Sequence, residues 1–402
     1  MVHREPIVVA TAARAHRTVL TERRLPVYAA STVFFPWIAR ARARSGFVAS
    51  ASLPVPHELE PHATFFRSFM KIVIVGAGGR LGSALVREYR ERFDVTGVTR
   101  AHLDLSNLDE MREKLRAKNF DVLINAAAFT NVDLCETQRD QAFLINAEAP
   151  RVLAEICGDK NAKLIHFSTD YVFDGEKREP YVETDSANPI SVYGESKRVG
   201  EQWVLQAEAR PVSRLEGSRL DQSAGSPSSF DLGCSAVAAP DAEGAARLRR
   251  VERNLVVRVS WVFGPDRPSF IDGVIKRAQE NEKVDAIADK FSTPTYTLDI
   301  AEMLPSFFEL DVEGGILHFA SAGECSWQEY AQWALDCCQR FGVSMKAKTV
   351  SALKLKDMKN WIARRPAYSV LSSANYTRLT GASPRTWRDA VAEYIRRSYS
   401  RK

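Results

Sequence analysis

Short runs of β-branched residues alternate with amphipathic segments from Met70 onward. The first run, Lys71–Val75 (KIVIV), precedes an amphipathic segment from Leu81 to Arg92. The same order then repeats, with apolar runs at 94–98, 121–124, 163–168 and 255–260, and helical periodicity at 108–118, 138–157 and 193–206. Strands that alternate with helices are typical of a parallel sheet with helices on both faces. The pattern predicts an α/β protein with a doubly wound parallel sheet.

The pattern changes after Gly264. The remaining chain mixes short apolar runs with helical segments, at 279–287, 290–296, 298–310, 316–320, 327–341 and 386–399. We therefore expect a nucleotide-binding domain over 70–264. Residues 265–402 are expected to form mainly a smaller substrate-binding lobe that closes over the crevice and ends in a C-terminal helix.

Two segments interrupt this organisation. Residues 1–69 are rich in Arg and contain no Lys, a composition that fits a transit peptide, although a translation start at Met70 is the favoured interpretation. Residues 207–253 are rich in Ala, Ser, Gly, Pro and Arg, which predicts a loosely ordered or disordered insertion. Because the insertion joins a helix to a strand, it should lie opposite the ligand crevice. Neither segment is expected to take part in the chemistry.

Composition excludes several classes of protein. The chain has 402 residues, of which 45% are apolar and 26% charged, with a net charge of +5. Outside 1–69 the charge is close to neutral, so nucleic-acid binding is not expected. No apolar run approaches the ~18–20 residues of a membrane span. The six cysteines show no paired spacing, which favours free thiols in a reducing compartment and a cytoplasmic location.

A glycine-rich turn follows the first predicted strand and opens the first predicted helix. Its sequence is Gly76-Ala77-Gly78-Gly79-Arg80-Leu81-Gly82. In a dinucleotide site the first glycine permits a tight turn, the second lets the backbone approach the pyrophosphate, and the third lets the helix pack on the strand. We assign these functions to Gly76, Gly79 and Gly82, and predict a Rossmann-type nucleotide-binding domain.

The choice of nicotinamide depends on the end of the second strand. An acidic residue there would bind a ribose diol, but the sequence is Val98-Thr99-Arg100. Arg100 is either the partner of a 2′-phosphate or a solvated surface residue. We expect NADPH rather than NADH, and we expect Asp104 and Leu105 to flank the adenine.

Tyr193 and Lys197 are four residues apart at the start of a predicted helix. This spacing places a phenol and an ammonium on one face, where the ammonium should lower the pKa of the phenol. A hydroxyl residue at the end of the 163–168 strand would supply a second donor to the same carbonyl oxygen. Ser168 and Thr169 are both candidates, and strand alternation lets only one of them face the crevice. Such a group of residues interconverts a carbonyl and an alcohol with a nicotinamide.

Several separated motifs appear in one order. They are NAAAFTNVD from Asn125, STDYVFDG from Ser168, PISVYGESKRVGE from Pro189, RVSWVF from Arg258, Pro294-Thr295, Ala320-Ser321 with Ser326-Trp327, and Arg364-Arg365-Pro366. From Met70 to the C-terminus, apart from 207–253, the chain resembles the dTDP-4-dehydrorhamnose reductases, a family of extended short-chain dehydrogenases/reductases.

The resemblance implies a reaction and its residues. It implies that the C4 ketone of dTDP-4-dehydro-β-L-rhamnose is reduced to dTDP-L-rhamnose. It selects Thr169 over Ser168, makes Tyr193 the proton donor, and assigns Lys197 to the nicotinamide ribose. Asp170 and Trp261 would contact the sugar nucleotide. The expected cofactor site is completed by Arg80, Leu81, Ala126, Ala127, Ala128 and Thr130.

Some expectations have stated alternatives. Trp261 could be a core residue, and Arg365 either contacts the substrate diphosphate or forms a solvated charge pair with Arg364. Some members of the family use Mg²⁺ at a dimer contact, but the sequence does not assign its ligands, and a homodimer is expected from the resemblance alone. His166 and His318 are expected in the core. The alternative functions are a regulatory subunit like that of methionine adenosyltransferase, and another sugar-nucleotide reductase or epimerase.

Overall fold

A computed structural model of the chain describes residues 70–207, 254–308 and 314–400. The predictions for residues 1–69, and those for the insertion apart from Ala207, lie outside the described residues. The strands are β1 (Lys71–Val75), β2 (Asp94–Val98), β3 (Val122–Asn125), β4 (Lys163–Thr169), β5 (Leu255–Val259), β6 (Val262–Phe263), β7 (Val284–Ile287), β8 (Phe291–Ser292), β9 (Thr295–Tyr296), β10 (Gly315–His318), β11 (Cys325–Ser326) and β12 (Val350–Leu353).

The helices cover the sheet and form most of the second lobe. The α-helices are α1 (Arg80–Tyr89), α2 (Leu108–Arg116), α3 (Val132–Thr137), α4 (Arg139–Phe143), α5 (Ala149–Lys160), α6 (Val192–Gln206), α7 (Phe270–Glu280), α8 (Thr297–Met303), α9 (Trp327–Arg340), α10 (Ala374–Thr380) and α11 (Trp387–Ser398). A π-helix spans Leu144–Glu148, and 3-10 helices span Asp170–Val172, Leu304–Phe307 and Leu355–Asp357.

The central sheet has six strands in the order β10-β5-β4-β3-β1-β2, and all of its neighbouring strands are parallel. The strand order reverses beside β1, where Val75 lies between Val98 of β2 and Asn125 of β3. In doubly wound sheets this reversal opens a ligand crevice at the carboxyl ends of the strands. The predicted fold class is confirmed.

Alternate side chains of β1 enter two apolar layers, one on each face of the sheet. Ile72 and Ile74 pack with α1 and α8, whereas Val73 and Val75 pack with α2 and α5. A strand that is buried on both faces needs a continuous apolar sequence, which explains the KIVIV run. The two layers hold the carboxyl end of β1 rigidly in the middle of the sheet.

The second lobe has its own aromatic core, which includes Phe263, Tyr330, Trp387 and Tyr394. The chain does not divide cleanly after residue 264, because β10, from the C-terminal third, pairs with β5 in the central sheet. Helix α7 was not predicted from the sequence. Its start is fixed by a capping box, in which the Asp272 carboxylate accepts from both the backbone and the hydroxyl of Ser269 at 2.6 Å.

The single helix predicted at 138–157 is divided into α4, the π-helix and α5. The interruption contains Asn146, whose side chain is fully buried. Its Oδ1 accepts from the Phe129 amide at 2.8 Å, and its Nδ2 donates to the Phe129 carbonyl at 3.1 Å and to the Ser196 hydroxyl at 3.1 Å. The π-helix thus holds the segment after β3 against α6.

The described residues that flank the 208–253 segment come together at the amino end of β5. The Asn254 side chain donates to the Val204 carbonyl of α6 at 3.0 Å and accepts from the Leu164 amide of β4 at 3.3 Å. The described residues on either side of the segment therefore lie at the end of the sheet opposite the carboxyl ends of the strands.

Candidate active site

A cavity of about 850 Å³ lies at the carboxyl ends of β1, β3, β4 and β5. Most residues predicted for the cofactor and the chemistry line it: Gly76, Gly79, Arg80, Leu81, Arg100, Asp104, Leu105, Ala126, Ala127, Ala128, Thr130, Thr169, Asp170, Tyr193, Lys197 and Trp261. Gly82 and Arg365 are not among the lining residues.

Two glycines of the turn, Gly76 and Gly82, leave no space for a Cβ. Gly76 has φ +84°, and a Cβ at this position would lie 2.7 Å from the Ala127 nitrogen. A Cβ at Gly82 would lie 2.2 Å from the Gly76 oxygen, and one at Gly79 would lie 3.2 Å from the same oxygen. Gly82 therefore acts in packing α1 against the turn, which explains its absence from the cavity. The bare backbone forms a cradle at the start of α1, the arrangement that holds a pyrophosphate.

Two arginines connect this turn to the loop after β6. The Arg80 guanidinium donates to the Val262 carbonyl at 3.1 Å and to the Arg267 carbonyl at 3.2 Å, and also contacts the Pro268 carbonyl. In return, Arg267 Nε donates to the Gly78 carbonyl at 3.0 Å. Arg267 lines the cavity but was missed, because nothing in the sequence indicates that its loop returns to residue 78.

Arg100, Asp104 and Leu105 form one end of the cavity. Arg100 is 82% exposed, and its Nε lies 3.9 Å from Asp104 Oδ2. The Asp104 carboxylate accepts from the amide and the hydroxyl of Ser106 at 2.9 and 2.8 Å, and these bonds lower its pKa. Arg100 is thus a weakly paired cation at the rim.

Ser168 and Thr169 both contribute atoms to the lining of the cavity. Strand β4 ends at Thr169 and passes directly into a 3-10 helix, and strand alternation ends with the strand. The Thr169 hydroxyl donates to Asp170 Oδ1 at 3.1 Å and accepts from the Tyr171 amide at 3.2 Å. The Ser168 hydroxyl has no hydrogen-bond partner within the described part of the chain.

Tyr193 lies in the first turn of α6, as predicted. Its ring packs edge-on against Tyr171, with 5.7 Å between the ring centroids. Burial raises the pKa of the phenol above its usual range, and a hydrogen bond with the Thr169 side chain acts in the opposite direction. The expectation that Lys197 lowers this pKa is wrong for this arrangement, because the lysine is directed elsewhere.

Lys197 is 1% exposed. Its Nζ donates to the Phe167 carbonyl at 2.7 Å and lies 3.1 Å from His166 Nε2. Burial lowers the pKa of Lys197 to about 8, against the opposing effect of Glu201. His166 is fully buried, as predicted for a core histidine, but it also contacts this candidate catalytic lysine.

Asp170 is buried, and hydroxyls surround its carboxylate. Thr169 and Ser292 donate to it at 3.1 Å, and Ser369 donates at 2.6 Å. Burial raises the pKa of Asp170, while Lys290 lowers it. Asp170 thus lines the cavity, and side-chain hydroxyls donate hydrogen bonds to both of its carboxylate oxygens.

Lys290 was missed by the sequence analysis and is fully buried. Its Nζ donates to the Pro366 carbonyl at 2.7 Å and lies 5.0 Å from the ring centroid of Tyr171 and 5.8 Å from that of Trp261. Burial lowers the pKa of Lys290 to about 8. Lys290 thus places a positive charge behind the cavity wall, close enough to interact with the Asp170 carboxylate that lines it.

Trp261 has two unusual properties. Its φ is +39°, a left-handed conformation that is strained for a bulky residue. Its indole nitrogen is buried without a hydrogen-bond partner among the described residues. The ring stacks on Tyr330 at 6.2 Å and lines the cavity. A strained residue with an unpaired donor is typical of a ligand contact.

Arg365 is not among the residues that line the cavity, and its guanidinium is paired with Asp133. Its Nη1 and Nη2 donate to the two oxygens of Asp133 at 3.0 and 2.7 Å. The guanidinium also lies 3.9 Å from the ring centroid of Trp361. Because Asp133 holds both donor nitrogens, Arg365 connects α3 to the second lobe. It is not a solvated charge pair either.

Other predicted features concern metals, membranes and cysteines. Over 70–207, 254–308 and 314–400, no group of three or more His, Cys, Asp or Glu side chains could hold a metal ion, and we propose no Mg²⁺ site. None of the helices in these ranges is long and apolar enough to cross a membrane. Five cysteines of the described chain are free and buried: Cys135, Cys157, Cys325, Cys337 and Cys338.

Comparison with known proteins agrees with this geometry. The family model described as RmlD substrate binding domain matches residues 70–214 and 240–400, so the unmatched internal segment, 215–239, is shorter than the predicted insertion. A Streptomyces antibioticus protein named "Probable dTDP-4,6-dihydroxy-2-methyloxan-3-one 4-ketoreductase" is 33% identical over 81% of this chain and 94% of its own. A dTDP-4-dehydrorhamnose reductase from Mycolicibacterium smegmatis is 32% identical over 81% of this chain and 85% of its own. The crystal structure of a dTDP-4-dehydrorhamnose reductase from Bacillus anthracis in complex with NADP has a TM-score of 0.66 and 27% identity over 81% of this chain and 99% of that one.

Proposed function

This chain belongs to the RmlD substrate binding domain family, and from that membership we propose that it is a dTDP-4-dehydrorhamnose reductase. It would reduce the C4 ketone of dTDP-4-dehydro-β-L-rhamnose to dTDP-L-rhamnose with NADPH or NADH. The observation that carries the proposal is the placement of Thr169, Tyr193 and Lys197 on the wall of a cavity that also contains the glycine turn.

The cavity fits a nicotinamide dinucleotide. The turn at Gly76 and Gly79 would hold the pyrophosphate, because a side chain at either position would crowd the backbone. Ala126, Ala127, Ala128 and Thr130 would contact the nicotinamide half, and Lys197 its ribose. When bound, the reduced cofactor supplies the hydride for the ketone carbon. The exposed Arg100 at the opposite end supports NADPH, since its guanidinium is available for a 2′-phosphate.

The proton for the alkoxide would come from Tyr193. A phenol is protonated at neutral pH, and burial raises the pKa of Tyr193 further above its ordinary value, so the side chain holds the proton that the product needs. The Thr169 hydroxyl, which donates to Asp170 Oδ1 at 3.1 Å in this arrangement, would turn from that carboxylate to donate to the same substrate oxygen. As Tyr193 transfers its proton it becomes a phenolate, and a charged Lys197 whose Nζ turns from the Phe167 carbonyl toward the phenol would stabilise that anion.

The sugar would lie toward Trp261. Its unpaired indole N–H is a donor without a partner in the described fold, and a substrate oxygen would satisfy it. Asp170 would face the same end, where the hydroxyls of Thr169, Ser292 and Ser369 fix its carboxylate. A buried carboxylate with these fixed donors is a rigid acceptor for a sugar hydroxyl.

One comparison favours a second substrate in the same class. The Streptomyces antibioticus relative is named as a 4-ketoreductase of a different dTDP-sugar, so another 4-keto sugar nucleotide is the alternative substrate. A regulatory subunit is not favoured, because the protein retains Thr169, Tyr193 and Lys197 on the wall of one cavity.

The test is turnover by the purified full chain. NADPH oxidation should follow addition of dTDP-4-dehydro-β-L-rhamnose, and Tyr193→Phe should lower kcat by at least ~10²-fold with unchanged NADPH affinity. Tyr376→Phe, at a tyrosine outside the cavity lining, is the control and should retain activity. Cofactor binding without turnover of either 4-keto sugar would contradict the proposal.

We also propose that the protein acts in the cytoplasm and that it can form a homodimer. The free thiols of the described cysteines support a reducing compartment, and family resemblance supports the dimer. Cell fractionation tests the first proposal. Light scattering of the purified protein tests the second, and a single-subunit mass at working concentration would contradict it.

A further inference from the structure

Two hydrogen-bonding constraints meet at the buried Asn125, at the end of β3. The Ala127 amide, which can only donate, lies 3.1 Å from Asn125 Oδ1. This contact fixes the orientation of the side-chain amide, since only its oxygen can accept. Asn125 Nδ2, which is a donor only, therefore faces His166 Nδ1 at 3.0 Å.

His166 must accept at Nδ1. A neutral imidazole carries one proton, so acceptance at Nδ1 places that proton on Nε2. His166 is fully buried, and burial holds its pKa well below the usual range. The ring is therefore neutral and presents an N–H at Nε2.

That N–H is directed at Lys197. The distance from His166 Nε2 to Lys197 Nζ is 3.1 Å, and Nζ donates to the Phe167 carbonyl at 2.7 Å. An ammonium has no lone pair and cannot accept from Nε2–H, whereas a neutral amine accepts it and still donates to the carbonyl. The geometry suits the amine form.

We propose that Asn125 and His166 form a donor pair that stabilises the neutral amine of Lys197, and so act as positioning residues that set the alkaline limit of catalysis. This inference rests on the proposed reductase function, because the ammonium form of Lys197 is the form that stabilises the Tyr193 phenolate. Protonating Lys197 costs the Nε2–H···Nζ hydrogen bond. Lys197 can therefore become charged only by losing the hydrogen bond that it accepts from His166 of strand β4.

The other groups near Lys197 do not supply this effect. On its own helix, Tyr193 is neutral while protonated, and Glu201 favours the ammonium. The Glu201 carboxylate is bound by Arg258 of β5 at 2.9 and 2.7 Å, which reduces its influence on Lys197. From β4, only His166 places a titratable group against Nζ among the described residues.

Three substitutions test whether the hydrogen bonds of Asn125 and His166, rather than their packing alone, determine the protonation of Lys197. His166→Phe keeps a ring but removes the N–H. Asn125→Asp keeps the shape but replaces the donor toward Nδ1 with an acceptor, which moves the ring proton to Nδ1 and lets Nε2 accept from an ammonium. His166→Gln can still donate toward Nζ and is the conservative control.

The measurement is an NMR titration of ¹³Cε-labelled lysine in the full chain, with the Lys197 signal assigned by its loss in Lys197→Met. The pKa of Lys197 should be about 8 in the wild type and rise by roughly one unit in His166→Phe and Asn125→Asp, the equivalent of one hydrogen bond. It should stay near the wild-type value in His166→Gln. The alkaline limb of kcat/KM should shift in the same order.

Two outcomes would overturn the proposal. One is an equal Lys197 pKa in the wild type and in folded His166→Phe and Asn125→Asp. The other needs no variant: ¹⁵N shifts of wild-type His166 that report the proton on Nδ1. Absence of turnover with every 4-keto sugar would count against the reductase function instead, and the lysine titration would still decide the donor pair.

Discussion

Asp133 and Arg365 form a two-point ion pair between helix α3 and the second lobe. The guanidinium binds both carboxylate oxygens, and the amides of Ile362 and Ala363 donate to the same carboxylate at 3.0 and 2.9 Å. The ion pair therefore holds residues 362–365 against α3, the helix that follows the loop after β3.

This pair should stabilise the fold above acidic pH. Hydrogen bonds with Arg365 lower the pKa of Asp133 to about 2 from an ordinary 3.8. A depressed folded-state pKa contributes stability above the ordinary value, and that stability is lost as pH falls toward 2. Asp133→Asn should lower the free energy of unfolding by about 1–3 kcal/mol at pH 7, with a smaller difference near pH 3, measured by urea unfolding. Asp140→Asn, at an exposed position, is the control, and equal stability of the wild type and Asp133→Asn at pH 7 would refute the expectation.

Trp261 should contribute to substrate affinity through its indole N–H. Trp261→Phe retains an aromatic ring and removes the unpaired donor, so the KM for the dTDP-sugar should rise about tenfold, the value of one hydrogen bond. The Kd for NADPH should not change. Trp333 donates its indole N–H to the Arg388 carbonyl at 3.0 Å. Trp333→Phe is therefore the control for loss of an indole outside the cavity. An unchanged KM in Trp261→Phe would remove the residue from the substrate site.

Arg100 should discriminate between the two nicotinamides. In Arg100→Ala the Kd for NADPH should increase about tenfold, because one charge-assisted contact with the 2′-phosphate is lost. NADH lacks that phosphate, so its Kd should stay the same. Fluorescence titration with both cofactors measures the ratio, with Arg90→Ala as the exposed control. If both affinities fall equally, or neither falls, Arg100 is a surface residue.

Excision of residues 215–239 should leave turnover within about twofold of the full chain. The described residues that flank the larger segment lie at the amino end of β5, opposite the cavity, and the family match resumes at residue 240. Asn254→Ala is the contrasting variant, since it breaks the bonds to Val204 and Leu164 and should cost about 2 kcal/mol of stability. Loss of NADPH binding on excision would show that the segment reaches the cofactor.

Local backbone requirements made the glycine turn predictable. The positive φ of Gly76 and the close packing of Gly82 on its carbonyl are short-range needs that only glycine meets. The same holds for the first turn of α6, where spacing alone places Tyr193 and Lys197 on one face.

Long-range pairing made other features unpredictable. Arg365 has its partner 232 positions away in sequence, and a charged residue in a motif does not reveal which acid will reach it. The pKa of Tyr193 was mispredicted for a related reason: four-residue spacing gives proximity to Lys197, but burial and the direction of Nζ decide the outcome. Lys290 and Asn146 carry no local pattern, and only the assembled fold shows that they are buried beside the site.

The crossed bonds of Arg80 and Arg267 have a consequence for inhibitor design and for evolution. Arg80 donates a hydrogen bond to the carbonyl of Val262, the residue directly after Trp261. Arg267 donates to the carbonyl of Gly78 in the glycine turn. Hydrogen bonds therefore join the turn that we propose binds the pyrophosphate to the wall that we propose contacts the sugar. A substitution near residue 261 that changes sugar specificity should therefore also change the affinity for the dinucleotide. An inhibitor that occupies both proposed subsites would bind a wall that these hydrogen bonds already hold in place.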